Sequence, residues 1–221
     1  KAKAAARGIS GPVFDAALAG VAPDLTILDL MNNQPEFKTP IWDYLGFLVD
    51  EERAQDGRDA MRRWSQAFAA AEARFGVDRY VIAGVWGVES NFGKDIGGRS
   101  LVQSLATLSC YAPRRQDYFT GELMATLKII ADGDIAPAGL RGSWAGAFGH
   151  TQFMPSTFQR LAVDLDGDGR RDIVSSVPDA LGSTANFLKR AGWQAGMPWG
   201  YEVRLPGGFK AGLLGRKNKR S

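Results

Sequence analysis

Apolar residues recur at intervals of three and four along most of the chain, and this period predicts a mainly α-helical protein. Phe14, Leu18 and Val21 open the first such run, after which Pro23, Pro35 and Pro40 divide the connection into loop or extended pieces. Thr39 before Pro40 predicts a helix start, with Ile41, Leu45 and Leu48 on one stripe, and Gly57 is expected to separate this region from the next helix. From Asp59 to Phe75, the series Met61, Trp64, Phe68, Ala71 and Phe75 marks one amphipathic helix closed by Gly76. Asp78 is placed to cap another, on which Val81, Ile82, Val85 and Val88 lead to Glu89. Further helices are expected over 103–111, 116–131 and 155–162. Ser176 and Asp179 read as a capping box before Ala180, Leu181, Ala185, Phe187 and Leu188, a run that ends near Gly192. Beyond it, prolines and glycines leave room only for short strands around Tyr201 to Leu205. This order of elements excludes a parallel nucleotide-binding sheet and a repeat array.

Composition narrows the class. The 221 residues suit one medium-sized domain or two closely packed subdomains. At 45% hydrophobic and 23% charged, the chain is not a disordered segment, a collagen or a long coiled coil. The 27 glycines belong to loops and close backbone approaches. A net charge of +3 looks basic, yet without residues 203–221 the chain carries 21 basic against 24 acidic side chains. The basic character is a property of the tail, which argues against a nucleic-acid-binding body. Cys110 is alone, so no intrachain disulfide forms, and its neighbours predict a small packed side chain. No stretch approaches the length of an apolar membrane span, and the basic start lacks the apolar run of an export signal.

Glu89 stands out. It follows Val85 by four residues, Ile82 by seven and Val81 by eight, so a regular helix sets its carboxylate beside the apolar stripe. Partial burial raises a carboxyl pKa and keeps a proton available, as a general acid requires. A core-edge glutamate held by Arg or backbone groups fits the same periodicity. The second constellation runs from Arg141 to Ser156. Gly142, Gly146 and Gly149 permit a close-fitting loop, and Ser143 and Gln152 offer hydrogen bonds. Trp144, Phe148 and Phe153 are flat apolar surfaces, suited either to sugar faces or to core anchoring. The loop lacks the Lys-Ser/Thr ending of a phosphate-binding loop and the preceding strand of a dinucleotide fold.

Together these segments resemble the membrane-bound lytic murein transglycosylase B family. The ordered set is Glu89-Ser90-Asn91-Phe92-Gly93, Ala106-Thr107-Leu108, Arg114-Arg115 with Phe119, Gly142 to Ala147, and Gln152-Phe153-Met154-Pro155-Ser156. Similarity extends upstream through Gln34-Pro35-Glu36-Phe37 and Trp42-Asp43-Tyr44, and downstream through Asp164 to Asp172 and Gly182 to Trp193, covering roughly residues 30–205. The resemblance implies a lysozyme-like helical catalytic domain with an added helical region around a saccharide groove. It makes Glu89 the catalytic acid and Ser143 and Gln152 cleft-lining polar residues; Ser90, Trp144, Phe148 and Phe153 complete the expected substrate-binding set. The implied substrate is peptidoglycan, cut between N-acetylmuramic acid and N-acetylglucosamine. His150, the only histidine, is expected to make a loop hydrogen bond.

The chemistry agrees with the inventory. Most glycosidases need two carboxylates, and the nearest, Asp95, lies beyond Gly93 without evident pairing. A lytic transglycosylase needs only one, because its nucleophile is the C6 hydroxyl of the muramic residue itself. A hydrolytic muramidase and a catalytically silent wall-binding module are the alternatives.

Asp164-Leu165-Asp166-Gly167-Asp168-Gly169-Arg170-Arg171-Asp172 carries much of a calcium-loop pattern, with Arg170 able to ligate through its carbonyl, but Ser175 stands where the final Glu would be. Structural calcium on Asp164, Asp166, Asp168, Arg170 and Asp172, or a metal-free turn braced by Arg170 or Arg171, are both consistent, and Asp179 is drawn both to the loop and to its capping box. Catalysis requires no cofactor on this reading. The expected organisation is a single catalytic unit over 1–221, with an N-terminal helical part over about 10–75, a lysozyme-like core over about 76–205 with its Asp-rich loop at 164–175, and a basic tail over 206–221. The resemblance implies a monomer at the periplasmic side of a Gram-negative envelope. It would work on glycan strands beside wall-synthesis or turnover proteins, without nucleic acid.

Overall fold

The computed structural model describes residues 1–31, 40–197, 200–210 and 212, with the side chains of Ile41 and Trp42 excepted. Thr39, the Gln34-Pro35-Glu36-Phe37 segment and the basic residues from Arg216 to Arg220 lie outside the described residues. Within them the chain forms α1 (Ala2–Ala5), α2 (Gly11–Leu18), α3 (Thr26–Leu30), α4 (Ile41–Leu48), α5 (Glu51–Arg63), α6 (Ser65–Phe75), α7 (Arg79–Ser90), α8 (Leu101–Tyr111), α9 (Gln116–Asp132), α10 (Pro155–Leu161) and α11 (Val177–Arg190). The mostly helical, lysozyme-like class holds. A two-residue antiparallel pair, β1 (Arg99–Ser100) with β2 (Arg141–Gly142), is continued by bridges Gly142–Phe148 and Phe148–Phe153. Residues 201–205 form no strand.

Local chemistry explains most boundaries. Asp50 accepts from the Arg53 N–H at 2.7 Å and starts α5. That helix runs through Gly57, contrary to the expected break, because a side chain there would meet the Phe92 ring at 3.0 Å and glycine lets the ring close on the helix. The break falls instead at Trp64, φ −107° and ψ 26°, so the expected 59–75 helix is two. Gly76, at φ 69°, ends α6 as a left-handed cap. Asp78 caps α7 through the Tyr80 N–H. Glu122, buried on α9, accepts from both the N–H and the hydroxyl of Ser156 and so caps α10 from a neighbouring helix.

Two apolar clusters form the interior. The larger joins Ile27 and Met31 of the N-terminal segment to α8, α9, Phe148, Phe158 and Ile173; the smaller joins Phe68, Ala71 and Phe75 to Ile82 and Trp86 of α7 and Val177, Leu181 and Ala185 of α11. Residues of α1 to α3 pack into the larger cluster and those of α6 into the smaller. Cys110 is exposed, not packed as its neighbours suggested. It lies in the last turn of α8, where the chain turns outward.

Candidate active site

Helix α7 has two faces. Ile82, Ala83, Trp86, Gly87 and Ser90 are buried, while Val81, Gly84, Val85, Val88 and Glu89 line a cleft of about 950 Å³. Glu72, Asp78, Trp193 and Met197 complete much of its wall. Glu89 is exposed to solvent at the mouth of the cleft. The apolar mass around its carboxyl nevertheless pushes the pKa above the ordinary range by desolvation.

The other two cleft carboxylates are engaged. Glu72, which the sequence did not single out, accepts from the Arg79 N–H at 3.1 Å and from Arg79 Nε at 2.7 Å, and these bonds pull its pKa down. Asp78 is spent on the helix cap. Asp95 is exposed, accepts from the Gly97 N–H at 3.3 Å and does not line the cleft. Of these carboxylates only Glu89 has its pKa raised.

A set of bonds fixes the end of α7. Trp86 Nε1 donates to His150 Nδ1 at 3.1 Å, with the rings edge-on at 5.5 Å. Ser90 Oγ donates to the His150 carbonyl at 2.5 Å and accepts from the Gly93 N–H at 3.0 Å. Asn91 and Phe92 then leave the helix in left-handed conformations, φ 48° and 56°, which bring the Phe92 ring edge-on to Trp86 at 5.5 Å. A side chain at Gly87 would meet that ring at 2.7 Å. His150 accepts at Nδ1 and is half-buried, and desolvation lowers its pKa. This matches the hydrogen-bonding role expected of it, and the Nδ1 lone pair that accepts from Trp86 is not free to take a proton from substrate.

Several expected substrate residues prove to be internal. Phe148 is fully buried, packed against Phe158 at 5.7 Å, and Phe153 is 7% exposed. Neither offers a free face to a sugar, because the bridges that close this loop turn both rings inward. Ser90 is also buried, its hydroxyl used in the clamp on α7. Ser143 and Gln152 are half-buried. Ser143 Oγ accepts from the Ala147 N–H at 3.0 Å, which leaves its proton free to donate. Gln152, at φ 50°, donates from Nε2 to Ile96 O and Gly149 O, which leaves its carbonyl free to accept. Trp144 lines a separate cavity of about 360 Å³ with Arg114, Arg115, Tyr118 and Met154. There the Arg115 guanidinium lies 4.3 Å over the Tyr118 ring.

The Asp-rich loop converges on a different set from the one its spacing proposed. Asp164, Asp166 and Asp179 each bring a carboxylate oxygen within 4.8 Å of the others. Asp168 and Asp172 do not join them: Asp168 accepts from the Arg170 N–H, and Asp172 accepts from the Val174 and Ser175 N–H groups, while Asp164 accepts from the Gly167 and Gly169 N–H groups beside the cluster. Arg170 pairs with Asp168 at 3.4 Å, whereas Arg171 leaves the loop to pair with Asp134. The Ser176 half of the capping box forms, through the Asp179 N–H. The Asp179 carboxylate does not reciprocate; it accepts from Leu165, Asp166 and Asp172 N–H groups and ties the loop to α11.

A transglycosylase SLT domain pattern matches the chain over residues 1–221. Membrane-bound lytic murein transglycosylase B of Escherichia coli (strain K12) is 37% identical over 199 residues, which cover 84% of this chain and 55% of that protein. SltB3 from Pseudomonas aeruginosa, solved in complex with NAG-NAM-pentapeptide, superposes with a TM-score of 0.91 at 45% identity, covering 96% of this chain and 56% of that one. The Escherichia coli lytic transglycosylase SLT35 in complex with calcium gives a TM-score of 0.79 at 34% identity, over 87% of this chain and 61% of that one. The chain therefore spans a little over half the length of these relatives.

Proposed function

Because the chain belongs to the transglycosylase SLT domain family, we propose that it is a peptidoglycan lytic transglycosylase. It cleaves the β-1,4 bond from N-acetylmuramic acid to N-acetylglucosamine and closes a 1,6-anhydro ring. The observation that carries the reading is Glu89, the cleft carboxylate whose pKa desolvation by the apolar wall raises while Glu72 and Asp78 are engaged. Protonated Glu89 donates to the leaving glycosidic oxygen. The resulting carboxylate takes the proton from the C6 hydroxyl as that oxygen attacks the anomeric carbon. No water is consumed, so no second carboxylate is needed to activate one.

The free donor of Ser143 and the free acceptor of Gln152 hold sugar hydroxyl and acetamido groups. Trp144 offers a sugar-stacking face beside Arg114 and Arg115, whose guanidinium groups suit a carboxylate-bearing part of the strand. SltB3, the relative solved with a peptide-bearing disaccharide, supports a substrate that carries its peptides. No helix among the described residues is long and apolar enough to cross a membrane. The reaction belongs at the wall, on the periplasmic side of the envelope, where glycan strands are the partner.

The test is product identity. Digests of purified peptidoglycan should contain muropeptides ending in 1,6-anhydro-N-acetylmuramic acid, about 18 Da lighter than hydrolytic ends because closure is intramolecular. Mass spectra dominated by reducing N-acetylmuramic acid would select the muramidase reading, and no cleavage of any wall preparation would select the binding module.

Calcium fits the loop as a structural ion. Three oxygens within 4.8 Å suit a cation held at ordinary calcium–oxygen distances, with carbonyls and water supplying the remainder. The set is Asp164, Asp166 and Asp179, and the buried Asp179 replaces the missing final Glu of the loop. Calcium at about a hundred times its dissociation constant should stabilise the fold by about 2.7 kcal/mol, with little effect on turnover. A melting temperature unmoved by millimolar calcium would identify a metal-free turn.

A further inference from the structure

A second groove, about 300 Å³, lies between α5 and α7. Leu48, Val49, Met61, Tyr80, Val88 and Phe92 give it apolar walls, and it shares Gly84 and Val88 with the Glu89 cleft, so the two are separated only by the outer ridge of α7. Val49, Tyr80 and Val88 are 64%, 71% and 45% exposed, a cluster of large apolar side chains that fold stability does not require at the surface.

Two cations line it, Arg53 and Arg58, and among the described residues only Arg58 of the two has a carboxylate partner, Glu51. Arg53 is half-buried, and its guanidinium makes a single hydrogen bond, from NH1 to the Leu48 carbonyl at 2.9 Å. Its Nε is buried without a partner, and no carboxylate pairs with it among the described residues. Of the neighbouring acids, Asp50 caps α5 and accepts from the Arg53 N–H, Glu51 pairs with Arg58 and Asp56 pairs with Lys94, while Glu52 is exposed and makes no ion pair with Arg53. An unpaired guanidinium in an apolar groove calls for an occupant with a small apolar body and a carboxylate, since a buried donor without a partner is costly.

We infer that this groove receives the peptide arm of the substrate, with Arg53 pairing with one of its carboxylates. The inference rests on the peptidoglycan reading. Muramic residues carry short peptides built from alanine and acidic residues, so methyl groups and carboxylates alternate on the arm as apolar wall and guanidinium alternate in the groove. Continuity with the cleft through Gly84 and Val88 places the groove where an arm leaving the reacting strand would cross α7. Arg53 is then a specificity residue that distinguishes peptide-bearing from bare glycan, acting on binding and not on the chemical step.

The experiment compares the whole chain with Arg53→Met and Arg53→Lys on peptidoglycan and on the same glycan stripped of peptide by an amidase. Arg53→Met keeps the backbone N–H that bonds Asp50. It should raise KM about tenfold on peptide-bearing strands, as loss of a charge-assisted bond implies, with kcat unchanged and bare glycan within about twofold. Arg53→Lys should recover part of the loss. Equal losses on both substrates would show a structural role and overturn the proposal. No loss on either would overturn it in favour of a protein occupant or a second copy. Calorimetry with a soluble disaccharide-peptide, in a Glu89→Gln background, separates this from the catalytic reading. Binding that depends on Arg53 supports the groove even if no turnover is seen, and binding indifferent to Arg53 overturns it even if turnover is normal.

Discussion

Glu89→Gln is expected to lower turnover on peptidoglycan at least about a hundredfold, the scale of a lost proton transfer. Saccharide binding should persist, because the amide keeps the shape of the carboxyl and the cleft walls are unchanged. The fold should hold as well. A carboxyl whose pKa is raised by folding costs stability once ionised; that cost is absent below the ordinary carboxylate pKa and grows until the raised value is passed. At neutral pH, therefore, the Gln variant should melt at the wild-type temperature or slightly above. The rate of the wild type should fall as pH rises through the raised pKa of Glu89, since the first step needs its proton. A folded Gln variant with near-normal product formation would remove Glu89 from the mechanism.

Phe158→Ala should be the most damaging change away from the cleft. Its ring is fully buried, packs on Phe148 at 5.7 Å and lies under the Arg171 guanidinium at 5.3 Å. Truncation leaves a cavity and should cost about 3–5 kcal/mol of unfolding free energy, read from the denaturant midpoint. It also removes the support of the Arg171–Asp134 pair and of the loop that carries Ser143 and Gln152. Activity should then fall through KM as that loop loosens. A loss below 1 kcal/mol would mean that the larger cluster can collapse around the gap.

Much of the helical order was legible because its signals are local. Asp78 and Gly76 mark ends by side-chain bond and by left-handed backbone, and both are visible in the residues themselves. The stop at Trp64 was not, since neither proline nor glycine stands there; the break serves the packing of α5 and α6 around α7. Gly57 misled for the complementary reason. It is a glycine for the sake of Phe92, thirty-five residues away, and not to end a helix. The family resemblance located the cleft helix and its Glu, yet an aromatic residue in a loop motif reads the same whether it faces sugar or core, so Phe148 and Phe153 needed the bridges to be placed. Asp179 was ambiguous because the side chain that could cap α11 is the one that can reach Leu165 and Asp172 only after the loop has folded back on the helix.

The clamp at the end of α7 also limits how this chain can be recombined with its relatives. A side chain at Gly93, at φ 83°, would land in the His150 ring, and one at Gly149 would come within 2.7 Å of the Ile173 carbonyl that His150 N–H bonds. The helix exit at 90–93 and the turn at 149–152 are therefore packed as a single unit, although nearly sixty residues separate them in the sequence. A chimera that brings a side chain to either Gly93 or Gly149 should fold with a displaced Glu89, and libraries that shuffle the domain should recover active members only where both segments keep these glycines.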